Sequence, residues 1–312
     1  MRKASNETMS ALIPYHKQTG GASRTSHGMC GVATRAAGVT AVLCCLSGCI
    51  SGPPAAEPAM LENARNLSAQ AETSMGEGRN AEACAGYAKA LEIYRSTDYG
   101  PGIVRALLNL ATVRLQVGDR AGARDCLRAA RRYEASLEAS NPAERNREGM
   151  PGLWAEVSWL EARLEADEGR ISPAWGALAR GYACAGRMPD EQKGRYAAME
   201  ARLHLASGEF AQAESSAAKS WSSYHGAGDE LGMADALRYR GKALAGQGKH
   251  KDALSGFDAA LAIDQRHARA PKVRDDLLCM SRSAAATGDM SRAHACAERS
   301  AKLASGGGAG ER

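Results

Sequence analysis

The stretch IVRALLNLATVRL, residues 103–115, sets Ile103, Leu107, Leu110 and Ala111 on one face of a helix. Val104, Leu108 and Leu115 form a second apolar stripe on the same helix. A helix apolar on two faces needs cover from two sides, so it predicts an inner helix touched by its own partner and by the next unit. The surrounding pattern repeats. Gly-x-x-x-x-Ala occurs as GRNAEA at Gly78, GDRAGA at Gly118, GRISPA at Gly169, GEFAQA at Gly208, GKHKDA at Gly248 and GDMSRA at Gly288. The spacings are 40, 51, 39, 40 and 40. The alanines that close the pattern are Ala83, Ala123, Ala174, Ala213, Ala253 and Ala293.

Each glycine has the same neighbourhood. Seven residues before it stands Ala71, Ala111, Ala162, Ala201, Gly241 or Ser281. Nine after it comes Tyr87, Leu127, Leu178, Ala217, Phe257 or Ala297, and twelve after it Ala90, Ala130, Gly181, Ser220, Ala260 or Ser300. Pro101, Pro151, Pro189 and Pro271 fall at or just before the first turn of a helix, where a missing N–H costs little. The physical reading is a helix–turn–helix unit: glycine ends the first helix, and small residues let two helices approach at matched heights. The long spacing comes from SNPAERNREGMPG, Ser140–Gly152, read as an inserted surface loop.

The turn glycine, the two small contact positions and the aromatic or Leu between them resemble the tetratricopeptide repeat family, over about Leu61 to Leu303. The resemblance implies an all-α fold: a right-handed superhelical α-solenoid of about six helix–turn–helix repeats. The period here is about 40 residues rather than the family's common 34, which implies longer helices. The usual first-helix Trp and Tyr are mostly absent, and the fourth and sixth repeats carry a small residue in place of the aromatic, so looser packing is expected there.

Upstream, AAGVTAVLCCL (36–46) is an uncharged run too short to span a bilayer and of the right length for a secretory signal, with Arg35 as its positive flank. Leu46-Ser47-Gly48-Cys49 resembles the lipobox of bacterial lipoproteins, which implies a lipid on Cys49 and cleavage before it. The expected organisation follows. Residues 1–28 are a disordered extension or lie upstream of a true start at Met29; 29–48 are a lipoprotein signal peptide; 49–60 are the lipidated cysteine and linker. Residues 61–303 are the solenoid and 304–312 a disordered tail. Ile50, in place of an Asp, favours the outer membrane facing the periplasm. The other reading of the apolar run is a buried core helix of a cytosolic protein.

The leader holds Arg2, Lys3, Lys17, Arg24 and Arg35 against Glu7, which leaves 35 basic and 34 acidic side chains from Cys49 onward. A balanced chain gives no case for nucleic-acid binding. Cys84, Cys126, Cys184, Cys279 and Cys296 match no zinc or haem spacing. Cys279 with Cys296 is the one candidate disulfide, against the alternative of buried single thiols. His204, His225, His250, His267 and His294 are scattered, and no nucleophile or phosphate-binding motif occurs, so no enzyme, metal, cofactor or small-molecule substrate is expected.

Function is then expected on the face lined by first helices. By the family's register the lining includes Arg65, Glu72, Arg105, Leu108, Thr112, Glu156, Trp159, Arg163, Arg195, Arg202, Asp235, Arg238, Lys242, Asp275 and Arg282, eight bases to four acids. Asn109 stands where some members place an Asn that holds a peptide backbone or carboxylate. One reading is a groove for an acidic or C-terminal peptide gripped by arginines, with Trp159 as an anchor. The other is a solvated face whose arginines pair with neighbouring acids and a Trp159 that only packs. The expected role is a membrane-anchored protein-interaction scaffold in the bacterial envelope, with a protein or peptide partner. The alternative is a cytosolic regulatory domain of the same family that binds a signalling partner.

Overall fold

The computed structural model describes residues 59–184 and 188–306. Cys49 and every expectation attached to 1–58 lie outside the described residues, as does the tail from 307 onward. The described chain is helical, without strands. In order, the helices are α1 (Ala59–Gly76), α2 (Asn80–Ser96), α3 (Gly100–Gln116), α4 (Arg120–Ser140), α5 (Pro142–Arg145), α6 (Met150–Asp167) and α7 (Ile171–Cys184). There follow α8 (Asp190–Ala206), α9 (Phe210–Ala227), α10 (Glu230–Gly246), α11 (His250–Arg266), α12 (Ala270–Ala286) and α13 (Met290–Gly306).

Six hairpins result: α1 with α2, α3 with α4, α6 with α7, α8 with α9, α10 with α11, and α12 with α13. Each second helix also packs on the first helix of the next hairpin, and the first helices α3, α6, α8, α10 and α12 touch in succession. This is the all-α solenoid that the resemblance implies.

The turns explain the regularity. All six pattern glycines hold φ between 75° and 83°. In that conformation the next residue's N–H reaches back to a helix carbonyl: Arg79 to Ser74 at 2.8 Å, Asp119 to Arg114 at 2.8 Å, Lys249 to Leu244 at 2.9 Å. This is a Schellman closure, and a side chain with a Cβ disfavours it. The turns between hairpins close the same way, but with Asp98 (φ 49°), Gly228 (φ 72°) and Ala268 (φ 53°) at the left-handed position. Asp119 and Asp229 then cap the next helices, accepting from the N–H of Gly122 at 2.8 Å and of Gly232 at 2.9 Å. Pro101, Pro151 and Pro271 sit in the first turns of α3, α6 and α12, and Pro189 caps α8.

Ala83, Ala123, Ala174, Ala213, Ala253 and Ala293 are all buried at the hairpin contacts. The positions twelve after the turn glycines are buried throughout. Of those nine after, Ala297 departs: it is exposed and Cys296 is buried in its stead, because no described helix packs on the far side of α13. The two stripes of α3 are covered as expected, Leu115 only partly.

Three expectations need correction. Ser140–Gly152 is not a plain loop: α4 runs to Ser140, Asn141 caps the one-turn α5, and Met150 is fully buried at the start of α6. The segment is pinned because Trp154 Nε1 donates to the Arg145 carbonyl at 3.1 Å, while Arg145 bridges Glu134 and Glu138. The last helix continues through 304–306, where a disordered tail was expected. Cys279 and Cys296 are free thiols, as are Cys84, Cys126 and Cys184. No described helix is long and apolar enough to cross a membrane.

Candidate functional site

The expected lining residues divide by depth. Leu108, Asn109 and Thr112 are buried within α3, and the Thr112 hydroxyl donates to the Leu108 carbonyl at 2.9 Å. They serve the hairpin contacts and are not offered to a partner, which corrects the expectation for Asn109 and Thr112. α3 packs on two sides, so its register predicts direction but not exposure. Arg65 and Arg105 are half-buried near Tyr94, and Glu72, also half-buried, lies near Arg105 and Tyr87. Burial lowers the affinity of Arg105 for its proton and raises that of Glu72, with the attraction between the two opposing both shifts. Lys242 lies 5.9 Å from the Tyr239 ring centre, and Arg282 is exposed.

Arg238 departs most from expectation. It is 3% exposed. Its guanidinium holds Asp235 at 2.5 Å, Asp276 at 2.6 Å and Asp264, joining α10, α11 and α12. Three surrounding carboxylates make it a structural tie, not a groove donor. Burial opposes its charge, yet these acids leave its proton held more firmly than in water.

Trp159, Arg163, Arg195 and Arg202 do converge, on a pocket between α6, α8, α10 and the start of α12. Its volume is about 90 Å³. That is the space of about three waters, enough for a carboxylate or a side-chain tip. The charged lining is Arg163, Arg195, Arg202, Arg269 and Lys272 against Glu191, Asp229 and Asp235. The Arg195 guanidinium sits 4.4 Å above the Trp159 ring, and Trp159 Nε1 donates to the Arg195 carbonyl at 3.2 Å. Trp159 is 5% exposed, so it floors the site and is not a free anchor.

Most of these cations already face an acid one hairpin away: Arg195 on Glu156, Arg202 on Asp167 at 2.5 Å, Arg269 on Asp235 at 3.3 Å, and Lys272 near Asp235 at 3.7 Å. Arginines paired with neighbouring acids therefore account for much of the face. Burial works against the charge on Arg195, but Glu156 outweighs it; Asp235, burial notwithstanding, is held below the ordinary carboxylate range by Lys272, Arg238 and Arg269.

Sequence reasoning missed Tyr224. It lies on α9, a second helix, yet reaches the pocket through a slot between α8 and α10. Two glycines make the slot. A Cβ on Gly232 would stand 2.3 Å from the Tyr224 ring, and one on Gly194 2.9 Å. Tyr224 is 5% exposed, and its hydroxyl makes no hydrogen bond among the described residues. Arg195 Nε is likewise buried without a hydrogen-bond partner. Tyr224 stands sixteen residues after its turn glycine; the same place holds Tyr94, Glu134 and Asp264 in other hairpins. Tyr94 fills a slot at Gly102, while Glu134 and Asp264 take arginines. That offset is the signal the sequence carried.

No cluster of three or more metal-ligating side chains occurs among the described residues. Residues 62–135 match the profile of the tetratricopeptide repeat family, and no catalytic family is indicated. No curated protein matches the chain. Among solved structures, BtubC (BKLC) from P. vanneervenii is similar over 82% of this chain and 95% of its own, at 16% identity and a TM-score of 0.54. Aspartyl phosphate phosphatase F from Bacillus subtilis is similar over 72% of this chain and 57% of its own, at 14% identity and a TM-score of 0.52. These likenesses concern the fold. The first two hairpins thus match the tetratricopeptide repeat family in sequence, and the described chain shares its helical solenoid fold with these solved structures.

Proposed function

We propose that the chain is a protein-interaction scaffold that takes an acidic segment of a partner into the pocket between α6, α8, α10 and α12. The observation that carries the reading is Arg195 Nε, a buried donor without a hydrogen-bond partner, in one small pocket with Tyr224, whose hydroxyl bonds to no described residue. A buried donor without a partner is costly, and an arriving carboxylate removes that cost. The pocket admits a carboxylate and little more, so affinity comes from a segment laid along the first helices.

Tyr224→Phe tests this. The hydroxyl supports nothing in the free protein, so the thermal midpoint should stay within about 1 °C, because one unengaged group adds little. Binding of a hexaglutamate peptide, followed by calorimetry, should weaken about three- to tenfold, the worth of one hydrogen bond. Equal affinity in both proteins would remove the pocket from the reading.

The setting is proposed from the sequence around Cys49: a lipid on that thiol, anchoring the scaffold in a bacterial envelope on the periplasmic face of the outer membrane. Fractionation of wild type and Cys49→Ser, with mass spectrometry of the N-terminus, tests it. An acylated Cys49 terminus in the membrane pellet, lost in the variant, supports the anchor. A soluble, unprocessed wild type supports the cytosolic alternative.

A further inference from the structure

Behind the pocket wall, Asp264 on α11 and Asp276 on α12 face each other, and both are fully buried. Both Oδ2 atoms are bound to the same nitrogen of Arg238, Nη2; that of Asp276 lies at 3.3 Å, and its Oδ1 accepts from Nε at 2.6 Å. Asp264 has a second cation, Arg269, at 2.9 Å, whereas Asp276 has Arg238 alone, which it shares with two other acids. Two buried carboxyl groups crowded on one donor repel each other when both are ionised, and a single proton between them turns repulsion into a hydrogen bond.

We propose that Asp264 and Asp276 share one proton across the Arg238 guanidinium, so that acidification tightens α12 onto α10 and α11 and makes the adjoining pocket wall more positive. The proton comes from water and binds a carboxylate oxygen; no other bond changes. The second clause rests on the reading of the pocket given above. Its basis is that Asp235, Arg269 and Lys272 line the pocket while belonging to the same network. When Asp276 is neutral, Arg238 turns its charge toward Asp235, and Asp235 then neutralises less of Arg269 and Lys272.

The surroundings of Asp276 agree. From α10 it faces Arg238, which also holds Asp235; from α11 it faces Asp264; on its own helix it acts on Cys279, which Lys242 of α10 also reaches. No group of α13 bonds to it among the described residues. Burial pushes the Asp276 carboxyl up to about 7, with Arg238 opposing and Asp264 reinforcing the shift. The unfolded chain releases this proton near pH ~4. The folded chain therefore binds a proton that the unfolded chain does not between about pH 4 and about pH 7, and stability falls as pH rises through that window. Above it the effect is level. Below it, Asp235, whose carboxyl is held low, loses its ion pairs and reverses the trend.

Hydrogen exchange of the α12 amides, in the full chain, reads this joint. In wild type, protection corrected for intrinsic rates should rise by up to about tenfold per pH unit from pH 7 to 5. Asp276→Asn imitates the protonated form, so its α12 should be as protected at pH 8 as wild type at pH 5.5, with little slope. Level wild-type protection, or the same slope in the variant, would overturn the proposal. Should the variant fail to fold, the Asp276 carboxyl 13C resonance of wild type decides: a titration midpoint between 6 and 8 supports the shared proton, one below 5 refutes it. Hexaglutamate binding over the same pH range separates the two readings. pH-dependent protection with no peptide binding keeps the proton joint and discards the pocket's ligand. Binding with level protection does the reverse.

Discussion

Ala268 holds φ at 53° where the equivalent turn of the preceding hairpin has Gly228. A side chain with a Cβ strains that conformation by about 1 kcal/mol. Ala268→Gly should relieve it and raise the thermal midpoint by about 2–4 °C, read by calorimetry. The opposite change is expected inside the helices. Gly232→Ala drives a methyl into the Tyr224 ring, which is buried and has no room to swing. It should destabilise by about 1–3 kcal/mol, measured by urea denaturation, and should dislodge Tyr224 from the pocket. The six turn glycines were legible because one residue type answers one backbone need. Ala268 and Asp98 were not, because no glycine marks them. The depth of Asn109 and Arg238 was hidden for another reason: helical register assigns a direction, and whether a direction is open depends on the neighbouring hairpin.

At the scale of helices, the hairpins are alike in geometry but unlike in what holds them. α3 buries twelve of its seventeen residues, nearly all apolar. α12 buries seven of seventeen, among them Lys272 and Asp276. The joints of the later hairpins lean on ion pairs that each span one repeat, such as Arg195 with Glu156 and Arg238 with Asp276. No pattern of hydrophobic residues announces such pairs; they join positions nearly a repeat apart in sequence. Caps matter here too. Asp229→Ala removes the bond to Gly232 N and should cost about 1 kcal/mol, with faster hydrogen exchange in the first turn of α10. The inserted segment before α6 shows the limit of composition as a guide. Its Pro, Asn and Gly suggest a loop, yet Trp154 and Met150 beyond it gather it into the core.

At the scale of the whole molecule, stability in a stack of this kind is close to a sum of units and joints, not a single cooperative transition. The buried apolar residues from Ala64 to Leu203 form one continuous core, and a smaller one spans Leu244 to Cys296. Hydrogen exchange should therefore show α3 and α6 more protected than α12 and α13, and uniform protection along the stack would contradict the unequal joints.

Synthesis runs from the apolar end of this stack to the charged end. α3 and α6 leave the ribosome before α10 and α12, and each later hairpin meets a surface already in place. The early hairpins cohere mainly through oily contacts, with the Arg124–Glu168 and Arg131–Glu161 pairs added where the second hairpin meets the third. The late ones need a finished template, because their lysines, arginines and aspartates have little reason to come together until a neighbour sets their spacing. The order of translation is thus also the order in which dependence grows.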